Sequence, residues 1–441
     1  MKHVVHSVTL DKEKCKGCTN CIKTCPTQAI RVRGGKAKII KERCIDCGEC
    51  IRVCPYHAKK AITDPLDMMG QFAYNIALPA PTFYGQFSKL KDINVLLNAL
   101  IKFGFDDVFE VAYAAQIITR ETKKLMESGE LEKPVINSAC PAVVKLISVR
   151  FPNLINNIAP IISPMDLAGK LARERAREAT GLPDEQIGVF FITPCAAKAT
   201  CAKKPLGMKG SNINGVFSIK DIYLKILPYL SDKETVRQLS KAGFPGVCWA
   251  NSGGEVAALE AENTIAVDGI HNVIKVMEEI EDEKLKDIDY VEALACTGGC
   301  VGGPLNVENN FVAKARVKKL AKTVKCNAFD FTGEVDVMWN DAIPYNPVMN
   351  LDPDIMVAMQ KMEQMQNIYD TLPQLDCGSC GAPSCKALAE DIVRGFARET
   401  DCIFKLRQKV ASLAREMEEL ETLAPGVMQQ NRKPGKKEEE T

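Results

Sequence analysis

The 441-residue chain has almost no net charge, no long apolar run and no apolar segment at its N-terminus. Its 57 Lys and Arg are matched by 56 Asp and Glu, a formal charge of +1. No global electrostatic case for nucleic acid or a membrane surface survives that balance. No stretch approaches the roughly 18 apolar residues of a membrane-spanning helix. The opening Met1-Lys2-His3-Val4-Val5-His6 lacks the apolar core of a secretory signal. The expectation is a cytoplasmic protein, with about two to four domains at this length, so a short disulfide scaffold is excluded. What the chain has in excess is cysteine, 19 residues. In a reducing cytosol disulfides are rare, and such an excess points to metal ligation or redox chemistry.

Cys15, Cys18, Cys21 and Cys25, and again Cys44, Cys47, Cys50 and Cys54, repeat one spacing, C-x2-C-x2-C-x3-C-P, ending at Pro26 and Pro55. This is the pattern of two-cluster bacterial ferredoxins, in which three close thiolates hold one 4Fe-4S cube and the fourth ligates the other. The pattern assigns Cys15, Cys18, Cys21 and Cys54 to one cube and Cys44, Cys47, Cys50 and Cys25 to the second. Paired C-x2-C units also suit tetrahedral zinc, but two complete copies with their prolines favour cubes. Gly34-Gly35 between two short apolar runs reads as a hairpin. Residues 1–62 hold 14 Lys and Arg against 5 Asp and Glu, a net +9. That excess either solvates anionic cubes or docks an acidic electron carrier.

From about Asp64 to Asn350 short apolar runs alternate with amphipathic stretches, as in an α/β domain. Runs at Ile187 to Ile192, Tyr290 to Ala295 and Val135 to Asn137 read as strands. Each ends at cysteine: Pro194-Cys195, Cys296 with Cys300, and Cys140-Pro141. Open α/β sheets bind ligands at the carboxyl ends of their strands, so Cys140, Cys195, Cys296 and Cys300 could share one cluster.

The three motifs read N-S-A-C-P-A-V, T-P-C-A-A-K-A-T-C and E-A-L-A-C-T-G-G-C. They resemble those holding the H-cluster of FeFe hydrogenases, T-S-C-C-P-G-W, M-P-C-x-x-K-x-x-E and E-x-M-A-C-x-x-G-C. The resemblance implies a two-lobed α/β catalytic domain, parallel sheets flanked by helices, over residues 65–350. It would follow a ferredoxin-like α+β domain over 1–64. Cys140, Cys195, Cys296 and Cys300 would hold a 4Fe-4S cube, Cys300 also bridging to a diiron unit with CO, cyanide and an amine dithiolate. Lys198 matches the family lysine that hydrogen-bonds a cyanide; alone it would read as a solvated surface lysine, and only Pro194-Cys195 beside it reverses that. Pro81 and Thr82 match the loop on the other cyanide. Ser163-Pro164 matches a family S-P pair, and Trp249-Ala250 falls where Phe-Gly usually lines the diiron pocket. The implied partners are H2, protons, an electron carrier resembling ferredoxin or a signalling protein, and the maturation machinery for the diiron site.

Departures from the family pattern set the expected rate. Ala139 stands where a cysteine relays protons, Thr193 replaces Met, and Cys201 replaces the proton-route Glu. Leu294 and Met165 stand where Met and Gln are usual. A positioned proton-transfer group is worth about 10²- to 10⁴-fold in rate, so slow turnover is expected. The same changes resemble the sensory branches of the family. Cys201, Glu292 and Glu255 could form a substitute relay; the plainer reading makes Cys201 a buried hydrophobe and the glutamates surface residues. Two rivals are an assembly-factor-like protein without the diiron unit and an ordinary electron-transfer subunit.

Near the C-terminus, Cys377, Cys380, Cys385 and, after a helical spacer, Cys402 resemble a small 4Fe-4S domain of anaerobic electron-transfer and signalling proteins, with zinc as the alternative. A linker helix and this small helical domain would span 351–405. Ile403, Leu406, Val410, Leu413, Met417 and Leu420 then follow heptad spacing. This seam suits packing on the parent domain, dimerisation, or docking to a partner. Residues 406–441 read as a short heptad helix and a disordered tail, with no apolar residue after Asn431. The methionines at 356, 359 and 362 read as helix packing. No kinase, phosphatase or PAS-like segment is evident, so a signalling output would lie elsewhere.

Overall fold

The computed structural model describes residues 6–231, 236–324, 331 and 333–423. Cys326, Pro425 and residues 431–441 lie outside them. Residues up to Met349 form one compact unit and those from Asn350 a second.

The first unit opens with four short strands, β1 (Val8–Leu10), β2 (Ile30–Arg33), β3 (Lys36–Ile39) and β4 (Lys59–Ala61). β1 pairs antiparallel with β4, and β2 with β3. Gly34 and Gly35 turn the hairpin with φ of 58° and 69°, the left-handed values a two-residue turn requires and glycine adopts without strain. One-turn helices Asn20–Lys23 and Glu49–Arg52 carry Cys21 and Cys50. The arrangement is the expected α+β one.

Seven strands follow: β5 (Tyr74–Pro79), β6 (Asp107–Val108), β7 (Val135–Ile136), β8 (Ile187–Thr193), β9 (Gly215–Ser218), β10 (Thr264–Asp268) and β11 (Tyr290–Leu294). They form two parallel sheets, ordered β6-β5-β8-β9 and β10-β11-β7. Helices cover these sheets, and every residue of β8 and β11 is buried. Parallel strands buried on both faces are continuous apolar runs, which is why Ile187-Gly188-Val189-Phe190-Phe191-Ile192 is recognisable.

The ferredoxin-like segment is keyed into this α/β body through Asp46, which is 1% exposed. Its carboxylate accepts from the Ser7 and Val8 amides, both at 3.1 Å. From the α/β part it accepts Thr200 Oγ1 at 2.9 Å and Lys145 Nζ at 3.1 Å. A buried carboxylate is tolerated only when so fully partnered.

In the second unit, helix Ile355–Thr371 packs against helix Cys385–Val393. Met365 is buried there, but Met356, Met359 and Met362 are 65%, 63% and 59% exposed. The expected packing of those three methionines therefore fails, because they lie on the face of the helix turned to solvent, and only Met365 packs. A 20-residue helix, Ile403–Thr422, begins immediately after Cys402.

Candidate metal centre and its cavity

Two cavities in the ferredoxin-like segment are each lined by four thiols. One of about 300 Å³ is lined by Cys15, Cys18, Cys21 and Cys54. The other, about 350 Å³, is lined by Cys25, Cys44, Cys47 and Cys50. The last cysteine of each motif has crossed to the other set, as the spacing requires. Burial, with Cys18, Cys15 and Cys54 adding to it, pushes the Cys21 thiol up to about 11, against the pull of Lys59. Burial likewise lifts Cys50 to about 12. Lys59 Nζ is buried without a hydrogen-bond partner and acts on both sets.

The third set gathers from strand ends. Cys140 and Cys195 are the residues just before helices Pro141–Arg150 and Ala196–Lys203, after β7 and β8 respectively. Cys296 follows β11, and Cys300 opens the turn Cys300–Gly302. Gly299, at φ 90°, lets this turn close on the neighbouring backbone; a Cβ there would lie 2.5 Å from Ser252 N. Burial, then Cys296 and Cys140, pushes the Cys195 thiol far up, and burial lifts Cys300 to about 12 against the pull of Lys198. Buried thiols that oppose one another's ionisation are unfavourable as free cysteine. They fit an iron cluster, whose cations deprotonate their ligands.

Arg52 crosses from the ferredoxin-like segment to this set. Its Nη1 lies 3.6 Å from Cys296 Sγ and 3.1 Å from the Gly302 carbonyl, while Glu49 holds its other nitrogens.

Beside Cys300 lies a cavity of about 580 Å³, lined mainly by apolar groups. Pro81, Thr82, Ala139, Pro164, Pro194, Lys198, Trp249, Ala250, Glu255, Glu292 and Cys300 all line it. Ser163, Met165 and Cys201 do not. Ser163 caps helix Pro164–Thr180, and Met165 and Cys201 pack behind the cavity in one core cluster with Phe191. Thr82 Oγ1 is buried and unpartnered, and Gln86 holds the Thr82 carbonyl at 3.1 Å. Trp249 Nε1 donates to Thr119 Oγ1 at 2.9 Å. Lys198 Nζ lies 5.8 Å from the centre of the Phe191 ring. A lysine and a threonine lining a largely apolar cavity suit a ligand with anionic acceptors.

The two glutamates are buried, not on the surface. Glu292 accepts the Gly253 amide at 3.0 Å and the Val256 amide at 2.9 Å. Glu255 accepts Asn137 Nδ2 at 2.7 Å and the Tyr290 hydroxyl at 2.6 Å. Burial and the Glu292 charge raise Glu255 from 4.5 to about 8.

Sequence reasoning missed Asn137, Tyr290 and Asp166. Asp166 is 3% exposed; Ser163 Oγ meets its Oδ2 at 2.7 Å, and its Oδ1 is buried without a partner. Burial raises its pKa while Ser163 and Lys198 lower it, and its charge in turn acts on Cys201, which burial lifts to about 12. The signal was available in Ser163-Pro164-Met165-Asp166, a helix-capping spacing.

A family model, iron-only hydrogenase large subunit, C-terminal domain, matches residues 73–254 and 224–304, together more than half of the chain. The chain belongs to the iron-only hydrogenase large-subunit family. A 4Fe-4S dicluster model matches residues 7–55, and a model of Fe-S cluster segments matches 372–404. Iron hydrogenase 1 of Clostridium pasteurianum is 24% identical over 394 residues, covering 73% of this chain and 69% of that protein. NADP-reducing hydrogenase subunit HndD of Solidesulfovibrio fructosivorans is 23% identical over 256 residues, covering 46% of this chain but only 44% of its own length. A solved [FeFe]-hydrogenase, HydA(deltaEFG), is 14% identical with a TM-score of 0.43, covering 58% of this chain and 86% of that one.

In the second unit Cys380, Cys385 and Cys402 share one core cluster, while Cys377 is exposed. Cys385 N donates to Asp376 Oδ1 at 2.6 Å. Cys248 is buried on the short helix preceding Trp249 and does not line the cavity. Among the described residues no helix is long and apolar enough to cross a membrane.

Proposed function

We propose that the chain is a slow FeFe hydrogenase that senses hydrogen or redox state. When bound beside Cys300, the diiron unit would supply the reversible splitting of H2 into protons and electrons, chemistry that belongs to the cofactor. Cys140, Cys195, Cys296 and Cys300 would hold the attached cube; Lys198 and Thr82 would face its anionic ligands. The observation that carries the reading is the cavity at Cys300, where Lys198, the Pro81-Thr82 turn and Trp249 meet. The Cys15, Cys44 and Cys377 sets would hold three further cubes. Electrons would pass through the ferredoxin-like segment, whose net +9 over residues 1–62 suits an acidic carrier.

Ala139 lines the same cavity, and its methyl group can relay no proton. Glu255 takes that part, with Glu292 setting its charge state. Cys201 stands one layer back, where the charges of Asp166 and Lys198 act on it. Ala139→Cys is therefore expected to raise turnover about tenfold, below the full 10²- to 10⁴-fold worth of a relay, because Glu255 already serves. Hydrogen-dependent viologen reduction by protein matured with the diiron unit tests both points. Slow wild-type reduction and a faster variant support the reading; a matured wild type with no hydrogen-dependent reduction refutes it.

Arg52 gives a second expectation. A cation donating to Cys296 stabilises the reduced, more negative cube, though its side chain, 26% exposed, is partly screened. Arg52→Met should lower that cube's reduction potential by a few tens of millivolts, where about 59 mV is tenfold for one electron. Arg52→Lys should recover part of the shift. A potentiometric titration followed by electron paramagnetic resonance reads it directly.

A further inference from the structure

The helix Ile403–Thr422 carries its whole apolar seam in solvent. Ile403, Leu406, Val410, Leu413, Met417 and Leu420 are 44%, 46%, 58%, 45%, 66% and 67% exposed. No described part of the second unit covers them, although the helix starts from a buried Cys402. A seam of two and a half heptads with nothing on it needs a partner to be stable in water.

Charge says which partner. From Ile403 to Val410 the helix holds Lys405, Arg407 and Lys409 and no acid; from Glu416 to Glu421 it holds Glu416, Glu418, Glu419 and Glu421 and no base. This order runs against the helix dipole, which favours acids near the N-terminus and bases near the C-terminus. The isolated helix therefore gains nothing from it. A second copy laid antiparallel does, because its acidic half then covers the basic half of the first.

The apolar spacing fits the same arrangement. With the two helices antiparallel and centred between Val410 and Leu413, Ile403 faces Leu420, Leu406 faces Met417, and Val410 faces Leu413. Each pairing occurs twice, and each sets an a position against a d position, as antiparallel packing of heptads requires. Lys409 then flanks Glu416 of the second copy on both sides. In a parallel pair Lys409 would meet Ala414, and Glu416 would meet Glu421, a like-charge contact.

We propose that this helix is a self-association surface, and that the protein forms an antiparallel homodimer through Ile403–Thr422. Sedimentation analysis of the full-length protein over a dilution series tests it. Wild type should approach twice the chain mass, and Leu413→Glu should be monomeric. Glu416→Lys should weaken the dimer by about tenfold or more, where tenfold is 1.4 kcal/mol, and Lys409→Glu with Glu416→Lys should restore it. The charge variants leave the seam intact, so their outcome does not depend on whether Leu413→Glu folds. Monomeric wild type would overturn the proposal, as would a dimer that survives Leu413→Glu. So would a dimer tightened by Glu416→Lys, since in a parallel pair the introduced lysine would attract Glu421 of the second copy. None of these results bears on the hydrogenase reading.

Discussion

Glu255→Gln is expected to lower hydrogen turnover by about 10²- to 10⁴-fold, the usual worth of a positioned proton-transfer group. The carboxyl lines the cavity beside Cys300 and is held by Asn137 and Tyr290. Burial raises Glu292 as well, while the Gly253 and Val256 amides on its two oxygens pull it back. Of the two, Glu255 is the more strongly raised, from 4.5 to about 8, by burial and then by Glu292. Glutamine keeps the size, accepts from Asn137 and can donate to a reoriented Tyr290 hydroxyl, but releases no proton. Hydrogen evolution, which needs the protonated acid, should fall in wild type as pH rises through about 8, and that limb should be missing in the variant. The same shift has a stability sign. Between 4.5 and about 8 the folded chain keeps a proton that the unfolded chain has released, so this stabilisation is complete below 4.5 and is lost as pH rises through 8. Equal rates and equal pH profiles for wild type and variant, at equal cofactor loading, would remove Glu255 from the route.

Lys198→Met should lower turnover by about 10²- to 10³-fold, the cost of removing one preorganised donor from a dry site. Methionine matches the length and the contact with Phe191 while removing the charge. Lys198 is also the cation felt by Asp166, Glu255 and Cys300, so its loss should destabilise the negative charge gathered around the cavity. Weaker retention of the diiron unit should accompany the rate loss, visible as lower iron content and weaker infrared bands. Full loading with full activity would mean that Lys198 does not face the cofactor.

The grouping of the cysteines was largely legible because spacing within a segment reports geometry within that segment. The crossing of Cys25 and Cys54 follows from the ferredoxin pattern, and Cys140, Cys195 and Cys296 sit where three buried strands end. Lys198 and Thr82 were reached only through resemblance, since nothing local distinguishes them from surface residues. What stayed hidden depends on packing between distant segments. Arg52 meets Cys296 across 244 residues and Asn137 meets Glu255 across 118, and no periodicity carries such a contact. The plainer reading of Glu255 and Glu292 as surface acids fails for the same reason: their burial is decided by the closing of helix Gly254–Leu259 against β11.

The cavity beside Cys300 is proposed to hold a diiron unit that reacts with hydrogen. Infrared spectroscopy of the full chain, after loading its 4Fe-4S clusters and maturing it with the diiron cofactor, tests this most directly. Bands from iron-bound CO and cyanide that shift when hydrogen is admitted are the expected result. A folded protein with its cubes in place and no such bands, or with bands indifferent to hydrogen, would contradict it.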